Sequence, residues 1–184
     1  MSLKIAVLLG TKRTGRLSEH AAKFVAEVGT SFKDVEITFV DPKSFDFPDE
    51  GEEVKDPKYT AIVDESDAFF IVTPEYNHGY PSTLKRMLDS EYNNYNKKPV
   101  AIAGVSDGPW GGVRAIEQVA TVVKTLGLVV LKKDLHFPDV DKLFNDRGEL
   151  LDNEFRERTK KIYKELIWMA KTLKWGRENL ELEK

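Results

Sequence analysis

Short apolar runs recur along the chain at residues 3–9, 35–40, 68–73, 100–105 and 128–131, rich in Val and Ile and mostly continuous rather than alternating. Runs of that kind are strands buried on both faces, because a sheet with one face in water alternates apolar and polar positions. Between the runs the apolar positions take helical spacing: Leu17, Ala21, Phe24, Val25 and Val28 first, and later Val113, Ile116, Val119, Val123 and Leu126. Two shorter segments do the same. Residues 55–65 carry Tyr59, Ile62 and Val63, and the stretch from Ser82 offers Leu84, Met87 and Leu88. A last helix is predicted from about Asn153 to Trp175, where Phe155, Ile162, Leu166, Met169, Ala170 and Leu173 share one stripe. Five strands joined by helical crossovers predict an α/β fold, a parallel sheet with helices on both faces, since right-handed crossovers leave few other arrangements. Order 2-1-3-4-5 is a common doubly wound solution, and such sheets bind ligands at the carboxyl ends of their strands. The residues just after each run are therefore the informative ones.

No composition shift, repeat or linker divides the chain, so one domain is expected over residues 1–176, with 177–184 as a frayed tail. The least regular stretch, 41–55, holds Pro42, Pro48 and the acidic residues Asp49, Glu50, Glu52 and Glu53, which read as a solvated surface loop. Charge is balanced at 28 basic against 31 acidic residues, which argues against a nucleic-acid partner. With no cysteine, disulfides, thiolate nucleophiles and sulfur-built metal sites fall away, and redox chemistry has to come from a bound cofactor. His20, His78 and His136 lack metal-ligand spacing, and no metal is assigned. The chain enters its first strand at once, with no signal-like segment and no run long enough to cross a bilayer, so a cytoplasmic protein with no membrane partner is expected.

Three loops carry unusual chemistry. After the first strand comes Gly10-Thr11-Lys12-Arg13-Thr14-Gly15-Arg16-Leu17-Ser18, then a helix. Hydroxyls, two arginines and two glycines at a helix start describe an anion site, where main-chain N–H groups and the helix dipole favour a phosphate. An ordinary turn with a capping serine uses the same residues. The loop is not a Walker motif and lacks the three-glycine dinucleotide fingerprint. After the third strand comes Thr73-Pro74-Glu75-Tyr76-Asn77-His78-Gly79-Tyr80-Pro81-Ser82, whose proline stiffens it and whose glycine permits a tight turn. An extended, stiff segment of that kind suits a flat ring held by main-chain polar groups. After the fourth strand comes Ser106-Asp107-Gly108-Pro109-Trp110-Gly111-Gly112, leading into a helix. All three loops follow parallel strands and converge on one edge of the sheet.

The tetrapeptide Pro74-Glu75-Tyr76-Asn77, followed by Pro81-Ser82-Thr83-Leu84-Lys85, resembles the NADPH-dependent FMN reductase family of flavodoxin-like proteins. The resemblance implies a flavodoxin-like three-layer sandwich with a five-stranded parallel sheet. It implies that FMN sits with its phosphate at Thr11 and Arg13, Thr11 replacing the family's usual serine, with Arg16 and Ser18 as further candidates. The flavin ring would lie against Pro74, Glu75, Tyr76 and Asn77, and beside Ser106, Gly108 and Gly111, with Gly112 completing the family's glycine-rich stretch. The implied activity is hydride transfer from NADPH or NADH through FMN to a small acceptor: a quinone, azo compound, flavin or metal oxyanion. Such chemistry belongs to the cofactor, so no side-chain acid, base or nucleophile is assigned. The family also implies a homodimer, with tetramers in some members, and Tyr80, Tyr92, Tyr95 and Trp110 are candidate contacts. Two rival functions fit the same fold: a flavodoxin-type electron carrier, and a flavin-binding regulatory protein.

Overall fold

The computed structural model describes residues 2–47, 55–145 and 147–181, so Pro48 and the acidic residues Asp49, Glu50, Glu52 and Glu53 lie outside the described residues. Strand β1 (Leu3–Leu9) is flanked in parallel by β2 (Val35–Val40) and β3 (Ala68–Pro74), and β4 (Pro99–Val105) runs parallel to β3. Every residue of β3 and β4 is buried, which is why those runs show no alternation. The sheet has the predicted order 2-1-3-4-5. Its fifth position departs from the single strand expected over 128–131. It is filled by two short pieces, β5 (Val129–Val130) and β6 (Leu135–Phe137), both parallel to β4. The Leu131 N–H still donates to the Val100 carbonyl at 3.0 Å, but Lys132 and Lys133 are exposed. Two ammonium groups cannot occupy a strand covered on both faces, so the chain leaves the ladder there and rejoins it at Leu135.

Helices α1 (Ser18–Thr30), α2 (Pro57–Glu65), α3 (Ser82–Asp89), α4 (Val113–Thr125), the four-residue α5 (Val140–Leu143) and α6 (Asn153–Asn179) complete the chain. Period-two strand geometry sends Ile5, Val7 and Leu9 into one apolar core, shared with Phe24 of α1 and Leu166 of α6. Ala6 and Leu8 enter the other core, with Tyr59 of α2, Leu84 of α3 and Val119 of α4. Burying one such Leu or Phe contributes about 1.5–3 kcal/mol, so the two cores supply the fold's main driving force. The Asp56 carboxylate accepts from the N–H groups of Lys58 and Tyr59, which together with Pro57 starts α2 where the apolar spacing begins.

Helix α6 does not stop at Trp175 but runs through residue 177 to Asn179. Arg177 donates to the Lys97 carbonyl at 2.8 Å and reaches Asp67 at 3.4 Å, which keeps the helix wound through Asn179. Tyr95 also departs from expectation. α3 leads back from the carboxyl edge of the sheet, so Tyr95 lies just before β4 begins, fully buried, its hydroxyl 2.8 Å from that of Tyr59. It is inaccessible to a partner, and burial pushes both phenols up. Among the described residues no helix is long and apolar enough to cross a membrane.

Candidate functional site

The three loops meet as the sheet geometry requires. The Gly10 N–H donates to Val72 at 2.8 Å and the Glu75 N–H to Val105 at 2.9 Å, so the ends of β1, β3 and β4 are tied side by side. Above them opens a cavity of about 640 Å³, walled by the loop at 13–18, residues 74–77, residues 105–107 and Val140 of α5. That volume lies within the range of small-molecule sites, ~300–1,000 Å³.

Two side chains of the first loop, Arg16 and Thr11, are spent within the fold. Arg16, nearly inaccessible, donates to the Thr11 carbonyl at 2.8 Å and to Glu19 at 3.1 Å, and forms a further ion pair with Asp41 at the end of β2. All three guanidinium nitrogens therefore have protein partners, and Arg16 braces the loop while lining the cavity. Lys23 donates to Glu19, which with the charge of Arg16 holds that carboxyl below its ordinary value. Thr11 is buried. Its hydroxyl accepts from the Arg13 N–H at 3.2 Å and lies 3.1 Å from the Tyr76 hydroxyl, so it ties this loop to the one after β3.

Two polar side chains of this loop line the cavity and remain uncommitted among the described residues. Ser18 opens α1, and Leu17 rather than a serine stands at its cap position with no side-chain cap. The expected alternative of a capping serine therefore does not hold. Ser18 lines the cavity, is 3% exposed, and its hydroxyl is, among the described residues, a buried side-chain polar atom with no hydrogen-bond partner. Arg13 is exposed on the cavity wall with its guanidinium 5.8 Å from the Tyr76 ring centroid, paired with no carboxylate among the described residues. A hydroxyl without a partner and a cation at the positive end of a 13-residue helix describe a place for an anion.

The loop after β3 is shaped differently. Pro74, Glu75, Tyr76 and Asn77 all line the cavity, but the Glu75 carboxylate turns away to α4. It accepts from the Arg114 main-chain N–H at 3.1 Å and from the Arg114 guanidinium at 3.3 Å, capping a helix whose own cap position holds Gly112. Further along the loop, Tyr76 and Gly79 exchange two main-chain hydrogen bonds at 2.8 and 2.9 Å around a two-residue turn. Tyr80 follows, half-buried, and burial raises its phenol.

In the third loop the Ser106 hydroxyl donates to the Gly108 carbonyl at 2.9 Å and so closes its own turn, while Ser106 still lines the cavity. Gly108 and Gly111, like Thr11, are not among the lining residues. Gly111 serves the fold instead, since its φ is +58 and a Cβ there would stand 2.8 Å from that of His136. Trp110 projects from the same loop, 67% exposed.

A model of the NADPH-dependent FMN reductase family matches residues 3–140, three-quarters of the chain and all three loops. The chain belongs to that family. The chain is 34% identical over 139 residues to an NAD(P)H-dependent FMN reductase of Schizosaccharomyces pombe, covering 69% of this chain and 68% of that one. It is 29% identical over 166 residues to a 2-hydroxy-1,4-benzoquinone reductase of a Burkholderia species, covering 85% and 90%. Among solved structures, a flavoenzyme NAD(P)H:(acceptor) oxidoreductase of Paracoccus denitrificans superposes with a TM-score of 0.77 over 92% of this chain and 98% of that one. At 19% identity that last likeness speaks for the flavodoxin-like fold. Family membership makes the protein an oxidoreductase that uses FMN and a reduced nicotinamide and acts on small-molecule acceptors.

Sequence reasoning does not single out Arg114, Gln118 or Asp41. Asp41 lies 25 residues from the arginine it pairs with, and Arg114 and Gln118 look like any polar residues on a helix surface. The one signal is their i, i+4 spacing directly after the Gly111-Gly112 pair.

Proposed function

We propose that the cavity holds FMN with its phosphate at the start of α1 and its ring against the main chain of residues 74–77, and that a quinone is the acceptor. Ser18 and Arg13 are the phosphate ligands in this reading. Thr11 and Arg16 act behind them by fixing the loop. Tyr76, Asn77 and Ser106 border the ring, with the turn at Gly108 and Gly111 supporting Ser106. When bound, FMN supplies two-electron storage, taking hydride from NADPH or NADH and passing it to the acceptor. The chain's own part is to bind, to orient and to leave one ring face open, which needs no side-chain nucleophile.

The observation that carries this reading is the Ser18 hydroxyl. An orphaned buried polar group costs about 1–3 kcal/mol, and a phosphate oxygen at that point would remove the penalty. Quinone is favoured as acceptor by the benzoquinone reductase among the relatives. Exposed Trp110 and half-buried Tyr80, both beside the rim, support a homodimer that closes over the site.

Purified protein saturated with FMN and stripped of the excess tests the reading. Without air, NADPH or NADH should bleach the retained flavin, and a benzoquinone should restore its colour within each turnover, with initial rates following a ping-pong pattern. Retained flavin that neither nicotinamide reduces would instead identify an electron carrier or a regulatory protein.

A further inference from the structure

Outside the cavity, two exposed side chains of α4 reach across to the loop after β3. The Gln118 side-chain amide donates to the His78 carbonyl at 2.9 Å, while Arg114 holds the Glu75 carboxylate through its main-chain N–H at 3.1 Å and its guanidinium at 3.3 Å. Residues 114 and 118 are one helical turn apart and share a face of α4. They therefore grip the loop at both ends of its cavity-lining segment.

The segment between those anchors is not relaxed. Asn77 at φ 49 and His78 at φ 68 both occupy the left-handed region, at the centre of the turn closed by Tyr76 and Gly79. Two-residue turns with both central residues at positive φ favour glycine, above all at the second position, and a histidine there is strained. Both side chains are exposed, so their own burial does not offset the strain. Gln118 is also packed closely on the turn: a Cβ added at Gly79 would stand 3.3 Å from its amide oxygen. The turn is thus held by its own Tyr76–Gly79 hydrogen-bonded pair and, from outside, by α4.

We propose that Arg114 and Gln118 are positioning residues that hold residues 75–78 in shape from outside, so that the main-chain groups facing the flavin stand ready before it arrives. The inference rests on the FMN reading above. A loop that must be ordered by its ligand draws that cost from binding, and a preformed one does not. Neither residue needs to touch the cofactor. What Gln118 holds is the conformation that His78 would otherwise abandon.

The test is FMN titration of the apoprotein by fluorescence quenching, in the wild type, Gln118→Ala, His78→Gly and the double variant, with apoprotein melting followed alongside. Losing the one hydrogen bond should weaken FMN binding by about threefold to tenfold in Gln118→Ala. His78→Gly in the same chain should recover most of that loss, because glycine takes the left-handed conformation without strain. Glycine at a left-handed position also raises stability in general, so the apoprotein melts separate a recovery of affinity from a recovery of stability: affinity should return beyond what the change in melting accounts for. Should Gln118→Ala not fold, Gln118→Glu removes the donor at nearly constant volume and is scored in the same way. Unchanged affinity in the Gln118 variants, or a double variant as weak as the single one, overturns the positioning role while leaving FMN binding intact. A wild-type protein that takes up no FMN overturns both this inference and the reading beneath it.

Discussion

The two edges of the sheet carry similar kinds of polar residue and use them in opposite ways. At the amino edge Asp67 accepts from Lys174 at 3.0 Å and from Arg177 at 3.4 Å, Lys4 pairs with Glu65 at 2.7 Å, and buried Lys98 donates to the carbonyls of Val63 and Asp64 at the end of α2. Each of these groups has its partner within the fold. At the carboxyl edge Arg16 and Glu75 are just as fully engaged, yet the Ser18 hydroxyl and the Arg13 guanidinium stand without polar partners among the described residues. A ligand site is marked less by its charge than by the few groups its own scaffold leaves unsatisfied.

The contrast breaks most sharply at Arg16. Arg16→Ala strips two carboxylates and a carbonyl of a buried donor, and should cost about 3 kcal/mol in urea unfolding, together with loss of FMN retention. At the other edge, burial pushes the Lys98 ammonium down to about 8, from an ordinary value of 10.5. Because the folded value is the lower one, the unfolded chain binds more protons between pH 8 and 10.5, and stability contributed by this group rises with pH across that window. Unfolding curves of wild type minus Lys98→Met should show that rise, of roughly 2 kcal/mol by pH 9.5. Only the difference is diagnostic, since burial raises Tyr59, Tyr95 and Tyr163 and makes total stability fall once unfolded tyrosines ionise near pH 10.

Ser18→Ala sharpens the comparison from the ligand's side. Removing an orphaned hydroxyl should leave the apoprotein as stable as before or slightly more so, while FMN affinity falls about tenfold in equilibrium titration. A matching loss of apoprotein stability would mean that the hydroxyl has a partner within the fold. The smallest effect belongs to the exposed pair at the amino edge: Glu65→Gln should leave the urea midpoint almost unchanged, and salt should erase what change there is.

Much of the fold is legible in the residues. Continuous apolar runs give away β1, β3 and β4 because central parallel strands have no wet face, and the loops at Thr11, Pro74 and Ser106 stand out because each follows such a run. α5 stays hidden, since four residues are too few to show a helical period. Within the site, residue type announces polar chemistry but not its recipient. Arg16, Glu75 and Ser18 all suit a phosphate or a ring on paper. The braced arginine, the capping carboxylate and the unpartnered hydroxyl differ only in what lies beside them, and Asp41 and Arg114 come from the end of β2 and from α4. The dependence of His78 on Gln118 is invisible for the same reason: positive φ at a histidine is a property of the closed turn, not of the tetrapeptide.

The interruption between β5 and β6 bears on how copies of this protein behave when crowded. An unbroken fifth strand would end the sheet in a straight row of free main-chain donors and acceptors, a template on which another chain's extended segment can add. Lys132 and Lys133 instead push the backbone outward midway along that border, and leave only two and three residues of ladder on either side. An incoming strand would have to bury two like charges to bridge the gap, so the break resists fibre-like stacking without disturbing the carboxyl edge of the sheet.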